Sequence, residues 1–517
     1  MRLRNKLLIF SAALFFFAMF APAGHMPSDT KYSIATAQAI SRGHLNIQPS
    51  AQLTYCSKGK NGLYYSKYGP GYALMFVPSA VMAHFFCRFT TTNEDQLLQI
   101  LSSFTNTILA PLCILLLVSI MHKVGFSTGI ILVSTLLIAL CSPLLPYSKI
   151  NHAELPTVLL LLLFALVWYD CKFLTRKDGL IIGAISSLLI LLKIGNIISA
   201  IVISTCCLFY IITNRSAKTA AVISIALPML TLLSLIMMNM YRYGAWVNFG
   251  YGREQEAFTT PVLSGLLLLV ISPSKSMFIF APLLIVSLVG FVKAVSGKKR
   301  FHLPILALFL SNLLFYSCWH DWHGGWSWGP RLIIPVVILM HMYIPYFIRM
   351  VCQVTSQFFR NVITSIFSLL IITACVINLL GGLIWYQQIY FFHKDHISLP
   401  VSHPVIAYKL FQHKFRHYSE KYTCSEFYRN CSRPPYTTVW NSISHDDVID
   451  FSSFETFQGF STFWGLLRAR SGSDLYLIFP ILFLLISLLL TTIYFILNRS
   501  PLMGIMKKTI LYSTGRF

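Results

Sequence analysis

Apolar runs of about twenty residues recur along this chain, separated by short polar or basic stretches. A helix needs roughly that length to cross a hydrocarbon core of about 30 Å. The pattern predicts spans over roughly 7–22, 97–120, 126–146, 155–170, 179–193, 196–213, 217–240, 277–293, 303–318, 331–349, 362–383 and 476–497. The fold expected is therefore an all-α polytopic membrane protein, a bundle of about twelve transmembrane helices. Two further apolar runs, 70–86 and 261–271, suit short helices that lie in or dip into the interface, and Pro70, Gly71 and Pro78 break the first. The chain divides into a membrane domain over 1–383, a polar extracytoplasmic insertion over 384–475, and a last span with a cytoplasmic tail over 476–517. No repeat of fixed period and no low-complexity segment occurs.

Basic residues orient the bundle. Lys172, Arg176 and Lys177, then Arg215 and Lys218, then Lys293, Lys298, Lys299 and Arg300, and finally Lys507 and Lys508 mark one set of loops. Only Asp170 and Asp178 offset them, so these loops are cytoplasmic by the positive-inside rule, and both termini lie inside. The start, Met1 to Lys6 followed by an apolar run to Phe20, has the form of a signal peptide, with Ala21-Pro-Ala23 as a small-x-small site. Ahead of so many later spans it reads as an uncleaved first helix, and cleavage after Ala23 would still leave Asp29 in place.

The net charge of +23 is thus largely an orientation signal, and a nucleic-acid partner is not indicated. The exceptions carry more information. Lys31, Lys58, Lys60, Lys67, Lys149, Lys275 and Arg331 fall outside, against the rule, beside apolar helix ends. Snorkelling to the interface accounts for most of them. For Lys67, Lys275 and Arg331, set among glycines and aromatics, a clamp for a phosphate competes with that reading.

Seventeen carboxylates are few enough to place individually. Asp170 and Asp178 are inside, eight lie between Asp395 and Asp474, and Asp29, Glu94, Asp95, Glu154, Glu254, Glu256 and Asp321 remain near the outer face. A general base for an outer-face reaction belongs to that last set. Asp29, just after the first span, is a candidate, and equally a helix cap for 31–41. Glu154 opens a later span, where a first-turn dipole contact would also explain it. His320-Asp-Trp-His323 could hold a divalent ion, the one cofactor left open, although interfacial tryptophans with incidental histidines explain it as well. No Walker A loop, HExxH helix or paired CxxC is present, and no strand precedes the glycines of 324–329. Cys113, Cys141, Cys206 and Cys207 read as small hydrophobes, while Cys424 and Cys431 are spaced to allow a disulfide.

The order of motifs resembles that of the GT-C membrane glycosyltransferases, specifically the bacterial relatives of protein mannosyltransferases and of lipid A aminoarabinose transferase. The matching blocks are Asp29-Thr-Lys-Tyr32, Tyr64-Tyr-Ser-Lys-Tyr-Gly-Pro-Gly71, Asn151-His-Ala-Glu154, Asn239-Met-Tyr-Arg-Tyr-Gly244 with Gly250-Tyr-Gly252, Ser272-Pro-Ser-Lys-Ser276 continuing to Pro282, and Trp322-His-Gly-Gly-Trp-Ser-Trp-Gly-Pro-Arg331. The likeness covers about residues 1–350. The resemblance implies an enzyme of the bacterial inner membrane that moves a sugar from a polyprenyl-phosphate donor to a glycan, lipid or protein acceptor, with inversion at the anomeric carbon. It places the essential first-loop aspartate at Asp29, a second cavity carboxylate at Glu154, and a donor-phosphate lysine at Lys67. Arg331 and Lys275 are further phosphate candidates. Tyr32, Tyr64, Tyr65, Tyr68, His152, Asp321, His323, Trp326 and Trp328 are candidates to line the substrate site, and an interfacial aromatic belt would explain the aromatic ones equally. Ser28 stands where protein-mannosylating relatives often carry a second acid. A glycolipid transporter or flippase would be expected to show repeated halves and ionisable groups near helix centres. A polymerase or ligase using polyprenyl-diphosphate glycans would draw on a late loop, where Arg416, His417 and Arg433 lie.

Overall fold

The computed structural model describes residues 3–21, 28–49, 56–89, 93–170, 174–213, 218–246, 248, 258–296, 299–325 and 327–383. The insertion 384–475, the span expected at 476–497, the Cys424–Cys431 pair, Glu254, Glu256 and Trp326 lie outside them.

Helix follows apolar run almost throughout. The chain opens with α1 (Leu3–Ala18) and α2 (Ser28–Ser41), then a two-stranded antiparallel ribbon, β1 (Ser57–Lys58) with β2 (Tyr64–Tyr65). The run 70–86 folds as two short helices, α3 (Pro70–Leu74) and α4 (Val77–Phe86). Tyr72, Phe76, Ala80 and Ala83 are buried against Ile34 and Ala37 of α2 and Leu98, while Leu74, Val81, Met82, Phe85, Phe86 and Phe89 stay exposed. One buried stripe and one bare apolar stripe are what an interfacial segment requires.

The bundle continues with α5 (Glu94–Ser103), α6 (Thr105–Val124), α7 (Thr128–Cys141), α8 (Leu144–Lys149), α9 (Glu154–Asp170), α10 (Arg176–Leu192), α11 (Ile197–Thr213) and α12 (Lys218–Tyr243). After these come α13 (Val262–Ile271), α14 (Met277–Phe280), α15 (Leu283–Val295), α16 (Lys299–Ser317), α17 (Ile334–Met340), α18 (Ile344–Gln353) and α19 (Gln357–Leu383). Local signals set the ends. Gly125 closes α6 in the left-handed region at φ +85°, and Thr175 with Asp178 forms a reciprocal capping box at the start of α10.

Four described stretches are long and apolar enough to cross a membrane: Glu94–Val124, Thr219–Tyr243, Arg331–Gln353 and Gln357–Leu383. The other expected spans inside the described residues are shorter or broken helices. The 126–146 run divides at Ser142-Pro143 into α7 and α8, and 277–293 divides at Ala281-Pro282 into α14 and α15. Helix length alone therefore supports fewer spans than the hydropathy pattern predicts. Lys149 also departs from expectation. Its side chain is buried at the end of α8, where its ammonium donates to the Gly382 carbonyl at 3.0 Å, so it joins α8 to α19 and does not snorkel.

Glycines let these helices approach closely, as small residues do in membrane bundles. A Cβ at Gly179 of α10 would lie 2.1 Å from the Ala220 carbonyl oxygen of α12, and one at Gly290 of α15 would lie 2.1 Å from that of Tyr343. Gly179→Val should accordingly force α10 and α12 apart, at a cost of about 1–3 kcal/mol. A lower thermal unfolding midpoint of the purified protein is the expected outcome, and an unchanged one would contradict this packing.

Candidate active site

A polar knot in the bundle presents the first carboxylates. The Asn106 side chain donates to the carbonyls of Ile150 (2.7 Å) and His152 (3.1 Å). Asn151 accepts from the Asn106 N–H at 3.0 Å and donates to the Ser102 carbonyl at 3.0 Å. The loop between α8 and α9 is thereby fixed, with its buried backbone groups satisfied. It delivers His152 and, at the first position of α9, Glu154. The Thr30 hydroxyl donates to the Asn151 carbonyl and pins the start of α2 against the same loop. Asp29 sits in that first turn, where the helix dipole favours an anion.

Arg331 ties the two acids together. Its Nη1 donates to Asp29 Oδ2 at 2.7 Å and its Nε to Glu154 Oε1 at 2.9 Å. Lys193, at the end of α10, donates to the same Glu154 oxygen at 3.1 Å. Glu154 is 2% exposed, and its other oxygen, Oε2, has no hydrogen-bond partner among the described residues. Burial alone would raise the Asp29 carboxyl, but the Arg331 guanidinium, His152 and the Tyr68 hydroxyl together lower it to about 2. Burial, and then the Arg331 charge, push His152 down to about 3, so its imidazole is neutral near pH 7.

These groups border a cavity of about 50 Å³. Lys67, Tyr68, Lys193, Arg242 and Arg331 line it together with Asp29 and His152, and Ile190, Leu235 and Met238 form an apolar wall. Four cations thus face a space in which Asp29 is the lone carboxylate among the described lining residues. Arg242 is aimed by its own hydrogen bonds, from Nη2 to Asn239 Oδ1 at 2.9 Å and from Nη1 to the Ser66 carbonyl at 3.3 Å. The site collects the starts of α2 and α9 and the ends of α10 and α12. These meet on one side of the bundle, as alternating spans demand.

Asp29, Glu154, Lys67, Arg331, Tyr68 and His152 therefore come together as the motifs suggested. Glu154 stands behind the cavity wall, holding Arg331 and Lys193. Other expectations are corrected. Lys275 holds no place in the cavity: it is buried, with its ammonium on the carbonyls of Gly325, Ser327 and Gly329 at 2.9, 2.8 and 3.1 Å. Burial draws that amine down to about 7, while Asp321 acts to raise it. Trp328 is core, its ring edge-on to Phe280 at 5.2 Å. Asp321 and His323 pair at 2.8 Å, and Asp321 accepts from the Gly325 N–H at 2.8 Å, so they close a turn. Tyr65 packs on Tyr243 and accepts from Asn61 at 2.9 Å. Tyr64 belongs to the ribbon, and Tyr32 backs Tyr68 with ring centroids 5.9 Å apart. Among the described residues, no three His, Cys, Asp or Glu side chains converge as a metal site would require.

Lys193 and Arg242 were not anticipated as site residues. Each is a cation at the end of an apolar run, and Arg242 lies inside a quoted motif.

No protein-family model matches the chain, and no curated protein matches it. Among solved structures, it is similar to ArnT from Cupriavidus metallidurans bound to undecaprenyl phosphate, at 13% identity over 78% of this chain and 73% of that one, with a TM-score of 0.42. ArnT in the apo state gives a TM-score of 0.45 at the same identity and coverage. The archaeal oligosaccharyltransferase AglB from Archaeoglobus fulgidus, in complex with an inhibitory peptide and a dolichol-phosphate, matches at 11% identity over 81% of this chain and 60% of that one, with a TM-score of 0.44. All three TM-scores fall below 0.5, so the functional reading rests on the chain's own motifs and site.

Glu154→Gln would take the buried carboxylate from Lys193 and from Arg331, which keeps Asp29, and should cost about 1–3 kcal/mol in chemical unfolding of the purified protein. Asp29 has a folded pKa below its ordinary value of 3.8, so its stabilisation is complete above 3.8 and is lost as pH falls through about 2. Unfolding midpoints of the wild type and Asp29→Asn should therefore differ by a constant amount from neutral pH down to about pH 5 and converge only in stronger acid. A gap that closes near pH 6 would refute the ion pair.

Proposed function

We propose that this chain is a GT-C-type glycosyltransferase of about twelve spans. It moves a sugar from a polyprenyl-phosphate donor to an envelope glycolipid, polysaccharide or protein acceptor at the outer face of the bacterial inner membrane. The observation that carries the reading is the cavity itself: one ionised carboxylate, Asp29, faces Lys67, Lys193, Arg242 and Arg331 beside an apolar wall. Such a site suits a phosphate with a lipid tail and a sugar to be transferred. The ordered motifs from Asp29 to Arg331 support the same class.

The chemistry follows from those groups. The acceptor oxygen attacks the anomeric carbon while the bond from that carbon to the phosphate oxygen breaks. The electron pair leaves with the polyprenyl phosphate, and the acceptor proton passes to Asp29. Cations stabilise the departing phosphate, with Lys67 and Arg242 nearest in role because neither is committed to Glu154. A resting carboxylate held at about 2 by its ion pair is a weak base. A phosphate drawing on Arg331 loosens that hold, so donor binding itself raises the basicity of Asp29. Glu154 is a positioning residue: it fixes the arginine against which this exchange occurs. Attack opposite the leaving phosphate inverts the anomeric carbon.

Asp29→Asn should lower transfer by about 10²–10⁴-fold at normal expression. Lys67→Met and Arg242→Met should mainly raise the KM for donor. The check is mass spectrometry of surface glycolipids, polysaccharide and proteins in a deletion strain complemented with each variant. Full restoration of the missing sugar by Asp29→Asn would sink the proposal.

A further inference from the structure

Lys275 lies in the loop between α13 and α14, with no exposed surface. Its backbone is set first. The Lys275 N–H donates to the Ser272 carbonyl at 3.3 Å, and the Ser276 hydroxyl caps α14 by accepting from the Phe278 N–H at 3.2 Å. The side chain then reaches the carbonyls of Gly325, Ser327 and Gly329, and contacts the Ser327 hydroxyl at 3.4 Å. Carbonyls two residues apart converge on one point because Gly325 and Gly329 take positive φ, +63° and +70°. The Gly325 and Gly329 carbonyls also accept from the Ser327 and Arg331 N–H groups, at 2.9 and 3.0 Å, so the ammonium is a second donor that draws the three carbonyls together.

Arg331 follows two residues later, its N–H donating to the Gly329 carbonyl at 3.0 Å. A Cβ at Gly324 would lie 2.7 Å from Arg331 Cβ, so the loop also closes directly onto the arginine. We infer that Lys275 is a positioning residue: by gathering these carbonyls it shapes the loop that places the Arg331 guanidinium between Asp29 and Glu154. This rests on the transfer reaction proposed above, in which Arg331 sets the basicity of Asp29. Lys275 acts through Arg331 and touches neither reactant. Asp321 and Arg331 are the charged groups that act on it.

The test is a double-mutant cycle in the purified full chain, read as kcat and donor KM with a polyprenyl-phosphate sugar, together with amide hydrogen exchange over 321–333. Lys275→Met should lower kcat about 100-fold, change donor KM less than about threefold, and speed exchange across the loop. With Arg331→Lys, which also lowers kcat, the double variant should be no slower than the slower single variant. Multiplying losses, or a KM effect as large as that on kcat, would overturn the inference. Ser327→Ala, which keeps the ammonium and removes one contact, should move exchange and kcat in the same direction by less, and serves if Lys275→Met does not fold. If the wild type transfers no sugar, the proposed function fails by itself. Exchange over 321–333 then decides whether Lys275 orders the loop: faster exchange in the variant supports it, and unchanged exchange overturns it.

Discussion

Charge inside a membrane bundle must be answered by charge, and Arg331 is where that requirement is met. Its planar guanidinium offers donors on two edges, one to Asp29 and one to Glu154. A lysine in its place would supply one point charge for two carboxylates. Lys193 completes the balance on Glu154. The site depends on this chain of pairs through the arginine: its loss leaves Asp29 without its ion pair and Glu154 with Lys193 alone. The surrounding features serve it: the Asn106–Asn151 knot holds one acid, the start of α2 holds the other, and the carbonyl cluster on Lys275 shapes the loop that carries the arginine.

Much of the helical layout was legible because apolar runs, basic loops and glycines report directly on hydrocarbon crossing, orientation and close approach. The breaks within α7–α8 and α14–α15 were less so. Proline interrupts both, yet the flanking residues are apolar, and a hydropathy window averages across the break. Lys67 and Arg331 were legible as ions out of place among aromatics and glycines, and Asp29 by its position just after the first span. Lys275 showed the same signal, and its ammonium lies on three carbonyls outside the cavity. Sequence reveals that a cation is unusual, but whether it faces a ligand or three carbonyls depends on the backbone of a loop some fifty residues away. Trp328 and Tyr65 misled for a related reason, since an aromatic beside a site motif can support the site from behind as readily as line it. Lys193 lacked the aromatic and glycine context of Lys67 and was hidden as the last residue of an apolar run.

Polarity is divided within the cavity. Asp29, His152 and the cations supply one set of walls, and Ile190, Leu235 and Met238 supply another. The latter two belong to α12, which also carries Asn239 and Arg242 close to its end. One helix therefore provides apolar lining and a cation within two turns. This juxtaposition suits an amphiphilic reactant better than a fully water-soluble one.

The Asp29–Arg331 pair joins positions 302 residues apart. At a synthesis rate of about 5–20 residues per second, on the order of 15–60 seconds separate the emergence of its two members. For that interval the aspartate is without the counter-ion it has in the finished fold. An assembling polypeptide in this state is unfinished in a way that charge alone reports. Completion of the bundle and completion of the ion pair are thus the same event: an intermediate lacking the arginine loop holds Asp29 without Arg331.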